Sequence, residues 1–86
     1  MAAPRKTVLI KYKISFMDEV LLIDVDAAEK FKISMNKVLT KCGTCNIAMY
    51  RWLYADDNVN PEKAVGNVIN DEDGNEIVVM RENHAG

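Results

Sequence analysis

The stretch Val38–Tyr54, VLTKCGTCNIAMYRWLY, decides how the rest of the chain is read. Val38, Leu39 and Cys42 recur at helical spacing, so one face of a short helix can be buried. Gly43 comes next, and glycine takes positive φ without steric cost, as a bend between two helices requires. Thr44 can cap a second helix by accepting one of its orphan N–H groups. In that helix Cys45, Met49, Trp52 and Leu53 share one side. Asn46, Ile47, Tyr50, Arg51 and Tyr54 share the other. The expectation is a helix, a glycine turn and a second helix.

Two blocks inside this stretch resemble a known family. VLTKCG resembles the V-A-x-x-L-G first helix of many phage and bacterial regulators, and AMYRWL resembles the T-V-Y-R-W-L of their recognition helices. The spacing between the blocks matches without a gap, although Leu39, Thr44 and Cys45 replace a usual alanine, aliphatic residue and serine. VINDEDGNEIVVM is similar to the carboxy-terminal hairpin of Cro-type phage repressors. The resemblance implies a helix-turn-helix regulator of transcription that reads double-stranded DNA as a homodimer, with Ile77–Met80 as the seam. It implies that Arg51 meets a guanine edge, Asn46 an adenine and Ile47 a thymine methyl. Tyr50 and Tyr54 would reach phosphate or sugar, and Lys37 and Lys41 would hold backbone phosphates from the supporting helix.

Outward from this stretch, Val8, Ile10, Tyr12, Ile14 and Phe16 alternate with Leu9, Lys11, Lys13 and Ser15. That is the period of a half-buried strand. Met17-Asp18 turns, and Val20–Val25 returns as the second strand of a hairpin whose apolar face needs a cover. Asp26 is expected to cap a helix from Ala27, and Ser34 to end it and cap another over Met35–Cys42. Asp56-Asp57 and Asn58 would end the reading helix. Asn60-Pro61-Glu62 starts a further short helix, though 63–69 reads equally as strand. Asp71–Asn75 has turn chemistry, and Ile77–Met80 reads as a strand.

The expected fold class is therefore α+β, in a small single domain over residues 1–86. It comprises a basic arm (1–6), a β-hairpin (7–25), a helical region with the helix-turn-helix core (26–54), a carboxy-terminal helix or strand hairpin (60–81) and a tail (82–86). The amino-terminal hairpin has no counterpart in the smallest Cro-type members, so a winged sheet with strands from both ends is also open.

Apolar residues make up 49% of the chain, enough for a modest core without disulfides or metals. The net charge of −2 is unevenly spread: Met1 to Arg51 carries nine Lys/Arg against five Asp/Glu, and Trp52 to Gly86 two against eight. The basic half holds the candidate reading stretch. Val20–Ile23 is too short for a signal sequence or a membrane span. A cytoplasmic protein with reduced cysteines is expected.

Several motifs invite an enzymatic reading and fall short of one. Cys42-Gly43-Thr44-Cys45 is a C-x-x-C, but the redox chemistry needs a strand before it. Cys42, Cys45 and His84 are one ligand short of a structural zinc site. Tyr54-Ala55-Asp56-Asp57 matches Y-x-D-D, without the further aspartate that a two-metal site requires. No catalysis, metal or cofactor is expected. A rival reading is a small, possibly phage-derived, interaction or inhibitor protein that binds a protein partner. Ile47, Tyr50, Arg51 and Tyr54 have hot-spot composition, and the acidic half from Asp56 to Glu82 could meet a basic surface.

Overall fold

Period-two alternation builds the first two strands. The computed structural model describes residues 6–43 and 46–81. Strand β1 (Thr7–Ile14) buries Ile10, Tyr12 and Ile14, and β2 (Glu19–Asp26) buries Ile23 and Val25. The two pair antiparallel from Thr7↔Asp26 to Ile14↔Glu19, so the amino-terminal hairpin forms where the alternation puts it. Asp18, with φ 52°, closes its turn.

After the hairpin comes α1 (Phe31–Cys42), the one α-helix among the described residues. Phe31, Met35, Val38 and Leu39 fall on one stripe and are fully buried against the sheet. The expected break at Ser34 is absent, because its hydroxyl turns inward. Ser34 Oγ donates to the Phe31 carbonyl (3.0 Å) and pairs with the Tyr12 hydroxyl (2.5 Å) inside the core. Nor does Asp26 cap a helix; its carboxylate accepts from the Ala28 N–H in a turn (2.9 Å). The helix begins at Phe31 without a side-chain cap because another segment supplies the acceptors. The N–H groups of Phe31 and Lys32 donate to the carbonyls of Lys63 and Pro61, each at 3.0 Å. Gly43 ends α1 in the left-handed conformation (φ 79°), donating its N–H back to Leu39 and Thr40.

Beyond Gly43 the chain departs from a helix-turn-helix. Thr44 and Cys45 lie outside the described residues. Asn46 then caps a single 3-10 turn, Ile47–Met49, by accepting from the Ala48 N–H (3.1 Å). Tyr50–Tyr54 is strand β3, not a recognition helix. YRWLY fits both periods over so short a run. Its aromatic residues favour a pleated surface, and the strand phase sends both Trp52 and Tyr54 into the core. Asp56-Asp57 and Asn58 do not end a helix. Ala55 (φ 50°) and Asp56 (φ 67°) form a tight hairpin turn, and Asp57–Asn58 is the short strand β4.

The segment 60–69 is a crossover, not a helix. The Asn60 side chain accepts from the Glu62 N–H in a local turn, and only Val65–Asn67 forms a 3-10 turn. There the chain presses on 27–29: Val65 and Gly66 donate to the carbonyls of Glu29 and Ala27, each at 2.8 Å. A Cβ on Gly66 would lie 3.0 Å from that of Ala27, so this approach needs glycine.

The expected carboxy-terminal hairpin is also absent. Strand β5 (Glu76–Arg81) runs parallel to β1 and antiparallel to β3, giving the order β2-β1-β5-β3-β4. Both edges of β5 are therefore occupied, which removes Ile77–Met80 as an edge-to-edge dimer seam. The architecture is α+β: one five-stranded sheet with α1 packed across one face.

Candidate functional site: the open face of the sheet

The residues singled out from the sequence do not converge. Lys37 and Lys41 are exposed on α1, beside Ile23 and Thr40. Asn46 caps the 3-10 turn, and Ile47 packs against the core while its carbonyl accepts from the Trp52 indole N–H (3.3 Å). Tyr50 stacks on Phe16 (centroids 5.1 Å apart), and the Arg81 guanidinium lies 5.2 Å from that same Phe16 ring. Tyr54 is buried; its hydroxyl accepts from the Asn70 N–H (3.0 Å) and donates to the Gly74 carbonyl (2.6 Å), pinning the 70–74 loop. Arg51 alone of the β3 set points to the opposite face of the sheet, where it pairs with Met80. No single helix carries these groups.

The enzymatic motifs gain no geometry. Burial, and secondarily the charge of Glu19, push the Cys42 thiol up, opposite to what activation requires. Cys45 and His84 fall outside the described residues. Asp56 and Asp57 sit in and after the β3–β4 turn. Among the described residues, no group of three or more His, Cys, Asp or Glu is placed to hold a metal ion.

The chemistry concentrates instead on the sheet face turned away from α1. In-facing residues fix its membership, because alternate positions along a strand point to opposite sides. With Ile10, Tyr12, Ile23, Trp52, Ile77 and Val79 inward, Leu9, Val20, Leu22, Leu53, Val78 and Met80 lie outward. Registers arrange them in rows: Leu53, Val78, Lys13 and Val20 side by side, then Glu76, Lys11 and Leu22. Leu22 is 62% exposed and Met80 39%. Lys11 and Glu76 approach at 3.8 Å, but each side chain is nearly half exposed, so the pair contributes little. No element covers this face among the described residues. Antiparallel and mixed sheets commonly leave one face to solvent, but that face is then usually polar.

Sequence reasoning places Leu53 on one side of a helix and gives Val78 and Met80 a role only as part of a strand at a homodimer seam. The missed signal lies in VLLI and IVVM: consecutive apolar residues in a strand make both of its faces apolar. On a sheet with one helix, only one face can be covered.

This topology is the ubiquitin-like, or β-grasp, fold. No protein-family model matches the chain, and no curated protein matches it by sequence. Solved structures do match. One, from work on molecular mimicry of SUMO that promotes DNA repair, superposes with a TM-score of 0.73 at 14% identity, over 91% of this chain and 95% of that one. A second, a protein designed de novo on ubiquitin, gives 0.71 at 14% identity over 92% and 93%. A third, from the pParkin–pUb–UbcH7 complex, gives 0.71 at 10% identity over 88% of this chain and 23% of that one. At these identities the likeness establishes the fold. It overturns the Cro-like resemblance, and the expectation of DNA binding and transcription regulation falls with the missing second helix.

Proposed function

We propose that the chain is a non-catalytic protein-interaction module that docks a partner protein on the open face of its sheet. The observation that carries this reading is the uncovered apolar set Leu9, Val20, Leu22, Leu53, Val78 and Met80. Exposed apolar side chains grouped among charges on one face mark an interaction site, and here Leu53, Val78 and Met80 lie on one side of Lys11 and Lys13, with Val20 and Leu22 on the other. Two of the structural neighbours support the reading: one concerns mimicry of SUMO and another belongs to a multiprotein complex. The partner alternative drawn from the sequence is kept, but its surface moves from the supposed reading helix to the sheet.

Affinity capture from cell extract with three immobilised forms tests this. Proteins held by the wild type are expected to be lost from Leu53→Ser/Met80→Ser and retained by Lys37→Glu/Lys41→Glu, which changes the helix side. Capture indifferent to the sheet-face variant overturns the proposal.

A further inference from the structure

The open face is not uniform. Leu53, Val78 and Met80 form the apolar floor of a depression of about 420 Å³ whose wall carries Asp56, Asp73 and Glu76. No basic side chain lines it; Arg51 and Lys13 stand on the same face, outside the depression.

Three different elements bring these acids together. Asp56 is placed by the strained β3–β4 turn. Asp73 is held by Asn70, whose amide donates to its carboxylate (3.0 Å) and whose side-chain oxygen accepts its N–H (2.7 Å). Glu76 opens β5, with the Lys11 ammonium 3.8 Å from its carboxylate. The loop bearing Asp73 is itself fixed from beneath by the Tyr54 hydroxyl. An apolar floor with an acidic wall is complementary to one kind of side chain: a long aliphatic stem with a cationic head.

We infer that the depression formed by Leu53, Val78 and Met80 with Asp56, Asp73 and Glu76 receives an arginine or lysine side chain of the docked partner. The inference rests on the proposed sheet-face docking and names the partner's chemistry there. The stem covers Leu53 and Val78 and the head meets the carboxylates at the rim. Arginine suits the site better than lysine, because its planar fork can meet two carboxylates at once and is less strongly hydrated. The partner therefore presents a basic residue beside apolar ones, and like-charge repulsion disfavours an acidic side chain in the depression itself, with Arg51, Lys11 and Lys13 standing beside it.

The test is selection of a displayed library of random 12-residue peptides on the folded protein, counter-selected on Leu53→Ser/Val78→Ser. Peptides that need the face are expected to be enriched in Arg or Lys about threefold over the library. Their affinity is expected to fall at least about tenfold with Asp56→Asn/Asp73→Asn/Glu76→Gln, and to weaken with salt. Asparagine at 56 tolerates the left-handed turn, and thermal melts check that each variant folds. Face-dependent peptides without basic enrichment, or indifferent to the carboxylate variant, overturn the inference and leave sheet-face docking standing. Binders indifferent to Leu53→Ser/Val78→Ser, or no binders at all, overturn both.

Discussion

The two faces of the sheet are made of the same strands, yet the inner one is almost wholly apolar and covered, while the outer one mixes apolar with charged residues and lies open. Inward, Ile10, Tyr12, Ile14, Ile77 and Val79 are completely buried under α1. Outward, Leu22, Leu53, Val78 and Met80 have no cover among the described residues. A polar pair on the inner face, Tyr12 and Ser34, is satisfied within itself and by the Phe31 carbonyl. The charges of the outer face are mostly left to solvent. One helix can satisfy one face of a five-stranded sheet, so apolar residues on the second face do not help this domain fold alone. The proposed docking of a partner would cover them.

The largest expected effect lies on the inner side. Phe31→Ala is expected to cost about 3–5 kcal/mol, a cavity beneath the whole sheet and a large part of a small domain's stability. Chemical denaturation measures it, and a loss below about 1 kcal/mol would mean that α1 is loosely packed.

Next comes pH. Burial pushes the Tyr12 hydroxyl up to about 12, partly opposed by its bond to Ser34. The ordinary value, near 10, describes the unfolded chain. The resulting stabilisation is fully present below about pH 10 and lost as pH rises through about 12, amounting to roughly 2–3 kcal/mol. Denaturation midpoints at about pH 9 and about pH 11.5 are expected to differ by more in the wild type than in Tyr12→Phe. Equal differences would show that Tyr12 is accessible.

The outer side gives smaller and opposite numbers. Ala55→Gly is expected to stabilise by about 0.5–1 kcal/mol, because alanine sits at φ 50° where glycine is unstrained. A destabilised variant would show that the turn is held by contacts instead. Met80→Ser is expected to change stability by about 0.5 kcal/mol or less while abolishing partner capture. A larger loss of stability would make Met80 part of the core and erase the contrast between the faces.

How much of this is legible in the sequence depends on how local each cause is. The period of Val8 to Phe16 yields the first strand directly, and the glycine at 43 does end a helix. Ser34 misleads because a buried serine and a capping serine look alike until Tyr12 is seen opposite. The start of α1 is not legible locally because its acceptors come from Pro61 and Lys63. YRWLY is undecided on period alone, and a short family likeness tips it the wrong way. The site is the least legible part: the Leu53–Val78 row exists only once β3 and β5 are known to pair.

Among the described residues, the strand latest in the chain stands in the middle of the sheet. β5 bridges the β1–β2 hairpin and the β3–β4 hairpin, and Ser15 reaches Val79 across 64 positions. Until that strand leaves the ribosome, the inner edges of both hairpins have no permanent partner. Such non-local closure predicts folding slower than that of a helical bundle of the same size. It also predicts a nascent chain that is open to mispairing until synthesis has passed β5.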